Sequence, residues 1–128
     1  MSAIVLIMWR RAIAESLLFK LNSDSVLRLC YEPDYTRADT CVKKNNAKVV
    51  LIEAAETGAH DVSKCLEICA VLRKDAVDCK LILMCPDQDE EAVAQTVNAM
   101  QAGQIDDFVF YEASFDYLAS KILTMLNN

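Results

Sequence analysis

Five short runs of apolar residues are spaced along the chain, and each predicts a β-strand. Most of these runs are apolar almost throughout, which is typical of strands covered on both faces. The second run differs, because Leu27, Leu29 and Tyr31 alternate with Arg28 and Cys30. The predicted strands are Ala3–Trp9, Ser25–Glu32, Lys48–Glu53, Cys79–Cys85 and Asp107–Tyr111.

Amphipathic stretches follow these runs and predict five helices, because their apolar residues recur every three or four positions. Asp34, Asp61 and Ser114 stand where helix N-caps are expected, and Gly103 stands at the end of the fourth helix. The predicted helices are Arg10–Asn22, Asp34–Asn46, Asp61–Lys74, Asp89–Gly103 and Ser114–Asn127.

The alternation of strands and helices predicts a single α/β domain over residues 1–128, with helices on both faces of a parallel sheet. In such a sheet the C-terminal ends of the strands form one edge, and ligands bind there. The residues predicted at that edge are Met8, Trp9, Glu32, Glu53, Cys85, Tyr111 and Glu112.

The composition argues against several classes of function. The net charge of −6 argues against direct nucleic-acid binding, which relies on Lys and Arg. No apolar run approaches the roughly 18 residues that a membrane span needs, so we expect a cytoplasmic protein without membrane contact. The six cysteines show no Cys-x-x-Cys spacing, and the chain has a single histidine. Buried reduced thiols are therefore favoured over disulfides or a metal site.

Motifs for common chemistry are missing. No Gly-rich phosphate loop follows any predicted strand, and no Gly-x-Ser-x-Gly sequence occurs. His60 falls in a predicted loop without an orienting partner, which is typical of a solvated histidine. The sequence therefore predicts neither an enzyme nor a cofactor site.

Two stretches carry a resemblance to a known family. "VVLIE", ending at Glu53, resembles the strand that ends in the phospho-accepting aspartate of response regulator receiver domains. "GQIDDFVFYEA" resembles the stretch around the last strand of that family, and Asp106–Phe108 is its most specific part. The resemblance covers essentially the whole chain. It implies a CheY-like, flavodoxin-like doubly wound sheet with strand order 2-1-3-4-5, in a protein of two-component signalling.

The resemblance also shows what has been replaced in the family's phosphorylation site. The two acidic residues that hold Mg²⁺ after the first strand correspond to Met8 and Trp9, and the phospho-accepting aspartate corresponds to Glu53. A thioether and an indole are poor ligands for a cation that prefers oxygen. The resemblance therefore implies a receiver-like domain that binds no metal and is not phosphorylated at Glu53.

The remaining functional positions of the family are altered in the same way. Cys85 corresponds to the hydroxyl residue, Tyr111 to the lysine that grips the phosphoryl group, and Glu112 to the proline after it. Only the aromatic switch position, Phe108, is kept. Phosphoryl transfer depends on cations that stabilise the equatorial oxygens, so these losses reinforce one another.

The role of Glu53 has two interpretations. It is either a carboxylate that is solvated or caps the following loop, or the partner of Arg10 or Arg11 in an ion pair that takes the place of the metal. Trp9 is either a lid over the vacated pocket or an exposed anchor for a partner.

Three functions remain open. The first is a signalling module that binds a protein partner, or a second copy as a homodimer, through the face of the fourth helix, fifth strand and fifth helix. The second is a small-ligand sensor at the sheet edge lined by Met8, Trp9, Cys85 and Tyr111. The third, an enzyme with Cys85 as nucleophile, is disfavoured by the acids that follow it. The predicted partner face contains Val97, Gln101, Asp107, Phe108, Val109 and Tyr117.

Overall fold

The secondary structure follows the predicted alternation of strands and helices. The computed structural model describes residues 2–22, 27–76 and 78–127, so the predicted strand residues Ser25 and Val26 lie outside the described residues. The strands are β1 (Ser2–Ile7), β2 (Leu27–Glu32), β3 (Ala47–Glu53), β4 (Lys80–Cys85) and β5 (Asp107–Phe110). The helices are α1 (Arg11–Leu21), α2 (Ala38–Asn45), α3 (Val62–Asp75), α4 (Glu90–Gln101) and α5 (Phe115–Leu126).

The strands form one parallel sheet in the order β2-β1-β3-β4-β5, which confirms the predicted doubly wound topology. The register places Ile7 beside Ile52, and Ile52 beside Leu83. Because all strands run in the same direction, their C-terminal ends lie at one edge. The register also sets Glu53, the last residue of β3, beside Met84 of β4.

The sheet separates two hydrophobic layers. Helices α1 and α5 pack on one face, where Leu17 and Leu118 are buried, and α2, α3 and α4 pack on the other, where Val42 and Cys69 are buried. Successive strand residues contribute to opposite layers, as the pleat requires. The sandwich of helices around a buried sheet is the three-layer architecture that the sequence predicted.

Side-chain caps fix the helix starts. The carboxylate of Asp61 accepts a hydrogen bond from the Lys64 backbone N–H, and the hydroxyl of Ser114 accepts one from the Tyr117 N–H, which confirms both predicted caps. Asp34 also caps, but it begins a short 3₁₀ turn, Tyr35–Arg37, that precedes α2. The single helix predicted from Asp34 is therefore divided into two pieces.

No helix in residues 2–22, 27–76 or 78–127 has the length and apolar character that crossing a membrane requires.

Candidate functional site

Glu53 lies at the C-terminal edge of the sheet, at the end of its central strand β3. Its side chain is fully buried. One carboxylate oxygen, Oε1, accepts hydrogen bonds from the backbone N–H groups of Trp9 and Arg10, both at 3.1 Å. The other oxygen, Oε2, accepts a hydrogen bond from Arg10 Nε. The interpretation of Glu53 as a solvated carboxylate is therefore wrong, because the chain after β1 folds over it and satisfies both oxygens.

Arg10 supplies the positive charge that a buried carboxylate needs. Its guanidinium forms a salt bridge with Glu53, and its Nη2 lies 3.6 Å from the sulfur of Met84. The guanidinium carbon also lies 4.2 Å from the centre of the Tyr111 ring and 5.7 Å from that of Trp9. Aromatic rings attract a cation above their faces, so these contacts hold the guanidinium in one position.

Arg11, the alternative predicted partner of Glu53, has a different environment from Arg10. It is the first residue of α1 and is exposed. Its Nη1 lies 4.0 Å from Glu15 Oε1, and its guanidinium carbon lies 5.3 Å from the centre of the Tyr31 ring. Arg10 precedes the helix and crosses the sheet edge, whereas Arg11 follows the helical turn away from it. The inclusion of Arg11 in the pocket ion pair is therefore wrong.

Two tyrosines close the site from other elements. The hydroxyl of Tyr111 donates to the backbone carbonyl of Ala54, and the hydroxyl of Tyr35 donates to the carbonyl of Glu53. Burial raises the pKa of Tyr111 to about 12 and raises that of Tyr35 well above its ordinary value. Both hydroxyls therefore remain donors at neutral pH. Sequence reasoning missed Tyr35, because it lies in a short 3₁₀ turn and belongs to no recognisable motif.

Met8 and Cys85 do not line an open pocket. Both side chains are fully buried, and they belong to the two opposite hydrophobic layers. The sulfur of Cys85 lies 3.3 Å from the hydroxyl oxygen of Thr96, and burial raises the pKa of the thiol. A buried thiol with a raised pKa is a poor nucleophile, which argues against the enzyme hypothesis.

An open groove lies beside the ion pair. Its volume is about 480 Å³, and its walls include Trp9, Glu56, His60 and Tyr111. Trp9 is 44% exposed, so it covers Arg10 only partly. His60 stacks on Tyr35 with the ring centres 3.9 Å apart, so it is a packed residue and not the solvated loop histidine that was predicted. Sequence reasoning placed the groove at the right edge but assigned it Met8 and Cys85, which are core residues.

The predicted partner face is partly exposed. Gln101 and Tyr117 are exposed, whereas Val97 and Phe108 are half-buried. Asp107 forms a salt bridge with Lys121, with 2.6 Å between the carboxylate oxygen and the ammonium nitrogen.

Two neighbours on β5 require a correction to this face. Val109 is buried between the sheet and α5, because neighbouring strand residues face opposite sides. Its placement on the partner face is therefore wrong. The exposed aromatic on this strand is Phe110, which sequence reasoning missed.

Among the described residues, no group of three or more His, Cys, Asp or Glu side chains is placed to hold a metal ion. The resemblance to receiver domains implies a Mg²⁺ ion beside the position of Glu53, and this ion prefers oxygen ligands. Met8 is buried, the backbone of Trp9 donates to Glu53, and the guanidinium of Arg10 is bonded to the carboxylate. This set presents one bound carboxylate and a cation, and it does not fit Mg²⁺.

The shape of the whole chain matches many solved structures. A response regulator from Thermotoga maritima matches with a TM-score of 0.79 at 13% identity, over 99% of this chain and 98% of that one. The receiver domain of the Francisella response regulator 1452 matches with a TM-score of 0.77 at 16% identity, over 99% and 98% of the two chains. The fold is that of response regulator receiver domains.

The chain also matches a structure with a different stated activity. A structure described as adenylate cyclase from Rhodopirellula baltica has a TM-score of 0.82 at 16% identity, over 98% of this chain and 87% of that one. No family model matches the sequence. No curated protein sequence is similar to it either. At these identities the likeness concerns the fold, and the activity has to be argued from the site.

Proposed function

We propose that the chain is a receiver-like signalling module that binds a protein partner and is not phosphorylated at Glu53. The proposal places it in a two-component type of signalling, as the receiver fold of its structural neighbours suggests. The observation that carries the proposal is the buried ion pair between Arg10 and Glu53. In an active receiver this position would need an accessible carboxylate.

The hydrogen bonds of Glu53 support the absence of phosphorylation. Both oxygens accept hydrogen bonds, and the carboxylate has no exposed surface. A nucleophile must approach the phosphoryl donor in line, and Glu53 would first have to break its contacts with Arg10 and with two backbone N–H groups. Opening the site in that way would also leave a guanidinium and its aromatic neighbours without their partner.

The environment offers no replacement for the missing cations. Tyr111 stands where the family has a lysine, and its hydroxyl is bound to the Ala54 carbonyl. Arg10 is the nearest positive charge, but it neutralises Glu53 itself. Phosphoryl transfer relies almost entirely on positioning and on electrostatic stabilisation of the transferred group. These residues supply neither, which supports signalling through contacts alone.

The experiment is incubation of the protein with Mg²⁺ and acetyl phosphate, followed by intact-mass spectrometry. We expect no phosphoryl adduct, and no protection of the site by beryllofluoride in hydrogen exchange. An active receiver treated in parallel provides the positive control. An adduct that is present in the wild type and absent from Glu53→Gln would contradict the proposal.

A second candidate function is small-ligand sensing, and the groove of about 480 Å³ beside the ion pair favours it. Pockets of about 300–1,000 Å³ with aromatic walls hold small molecules, and the C-terminal sheet edge is their usual place. Ligand-observed NMR with adenosine and indole as probes tests this function. We expect saturation transfer to a bound probe that is reduced in His60→Ala, and equal signals for both proteins would exclude the groove.

A further inference from the structure

A second groove runs along β5 and the start of α5. Its volume is about 570 Å³, and its lining includes Asp87, Phe108, Phe110, Glu112, Tyr117 and Lys121. The groove belongs to the predicted partner face. Its role as a contact surface rests on the proposed function, and its side chains indicate the chemistry of the partner.

The floor of the groove is aromatic. Phe108 and Phe110 point to the same side of β5, and their rings meet edge to face with centres 5.4 Å apart. Phe110 is 38% exposed and Tyr117 is 51% exposed. Strand β5 lies at the edge of the sheet, and Phe108 is half-buried against the layer of α2, α3 and α4. Aromatic side chains that remain accessible beside a groove are typical anchors of protein interfaces.

The charges of the groove are unbalanced. The ammonium group of Lys121 is occupied, because it lies 2.6 Å from Asp107 Oδ2 and 5.3 Å from the centre of the Tyr117 ring. Asp87 and Glu112 both line the groove. A hydrogen bond with Asp87, and then the negative charge of Asp87, raise the pKa of Glu112. Among the residues that line the groove, no cation remains for these two acids.

We propose that this groove binds a protein segment that carries a Lys or Arg side chain next to an apolar one. The cation would lie between Asp87 and Glu112, and the apolar side chain would pack on Phe110. A cation relieves the repulsion of the two carboxylates, and opposite charges across an interface also increase the association rate. The net charge of −6 also attracts a basic partner over longer distances and so favours its diffusional encounter with the chain.

A second copy of the chain fits this groove less well. In a symmetric dimer each contact is made twice by the same patch. The groove of one copy would therefore have to supply the cation for the acids of the other, and Lys121, the cation among its lining residues, is held by Asp107. The charge pattern thus favours a basic partner over self-association.

The test is selection of a phage-displayed library of random peptides on the whole immobilised chain. We expect enrichment of peptides with Lys or Arg near Leu, Phe or Trp. The affinity of the selected peptides should fall about tenfold for D87N/E112Q and for F110S, and binding should weaken as salt is raised. F19S is the matched control, because Phe19 is an exposed aromatic on α1 and lies outside the groove.

Several outcomes would overturn this inference. They are enrichment of acidic or wholly apolar peptides, affinities unchanged in D87N/E112Q, and an absence of enrichment. A dimer in analytical ultracentrifugation that is lost in F110S would assign the groove to a second copy and would also overturn it. Peptides that bind elsewhere on the same face overturn only this inference. A phosphoryl adduct on Glu53 overturns the proposed function, whatever the peptides do.

Discussion

The Arg10–Glu53 pair and the groove along β5 contain carboxylates under opposite conditions. Glu53 is buried, neutralised by a guanidinium and bonded to two backbone N–H groups. Asp87 and Glu112 lie at a rim, face each other and have no cationic partner in the lining of their groove. The edge that performs chemistry in an active receiver is therefore a packed part of this fold. The carboxylates that lack a cationic partner among the lining residues of their groove lie instead on the face proposed for contacts.

The physical reason for the difference is desolvation. A buried charge without a partner is very costly, so a carboxylate at the end of β3 requires a fixed counter-charge in the folded state. A carboxylate in water needs no counter-charge within the fold, because the solvent stabilises its charge, and it remains available to a cation from a binding partner. Substitutions in the two regions should consequently act on different quantities, stability in the first and binding in the second.

The largest effect is expected for Glu53→Ala. The variant leaves the guanidinium of Arg10 and two backbone N–H groups without their acceptor, so the free energy of unfolding should fall by about 3–5 kcal/mol. Urea denaturation measures it. Glu15→Ala is the control, because Glu15 and Arg11 are 63% and 66% exposed and their pair should contribute less than about 0.5 kcal/mol. Equal losses in both variants would show that the buried pair is no more important than a surface pair.

Tyr35→Phe should have the next largest effect. It removes the hydroxyl that donates to the Glu53 carbonyl and leaves that buried carbonyl with one partner fewer, at a cost of about 1–2 kcal/mol. Tyr117→Phe removes a hydroxyl from an exposed side chain and should change stability by less than about 0.5 kcal/mol. The difference between the two variants, measured by urea denaturation, reports how tightly the site is closed. Identical midpoints would contradict the closed site.

Alkaline pH should weaken the layer that contains the buried thiols. Burial raises the pKa of Cys69 to about 12 and that of Cys79 to about 11, whereas unfolded thiols ionise near about 8.5. Above that pH the unfolded state releases protons that the native state keeps. Stability should therefore fall as pH rises, by up to about 1.4 kcal/mol per pH unit for each thiol.

Cys69→Ala tests the origin of that slope. The variant should lose stability at all pH values because of the smaller side chain, but its decline between pH values of about 8.5 and 10.5 should be shallower than that of the wild type. Thermal unfolding at several pH values provides the measurement. If stability falls equally steeply with pH in the variant and in the wild type, groups other than Cys69 cause the alkaline decline.

The smallest effect is expected at the rim of the open groove. A hydrogen bond with Asp87, and then the negative charge of Asp87, raise the pKa of Glu112. The two groups therefore do not destabilise the fold below the pKa of the unfolded Glu112, and their repulsion develops as pH rises through its folded pKa. Glu112→Gln should therefore raise the melting temperature slightly at pH values near about 7 and leave it unchanged near about 3. Asp87→Asn should act alike, and the double variant should gain no more than either single one. Additive gains would show that the two acids do not interact.

The fold could be predicted further than the site. Strand order and helix caps follow from short-range signals, such as apolar runs and the acids at Asp34 and Asp61, together with the family resemblance. The sequence could not decide between Arg10 and Arg11, because the choice depends on where α1 begins. The Tyr35 contact joins residues 18 positions apart, and no periodic pattern records such a contact.

The error at Val109 has a similar origin. The predicted partner face includes the consecutive strand residues Asp107, Phe108 and Val109, although alternate strand positions face opposite sides. That alternation places Phe108 and Phe110 on one side of β5 and Val109 on the other, and the structure shows that Val109 is buried. The exposed aromatic Phe110 was therefore accessible to sequence reasoning, whereas the pairing of Lys121 with Asp107 was not.

Trp9, the only tryptophan of the chain, stands at the rim of the closed site and not in either hydrophobic layer. Its emission therefore monitors the cover over Arg10, while far-ultraviolet circular dichroism monitors the helices. A denaturation experiment followed by both signals compares the unfolding of this corner with the unfolding of the helices in one sample. Curves that separate would mean that this corner opens before the sheet, and curves that coincide would mean that it belongs to the same cooperative unit.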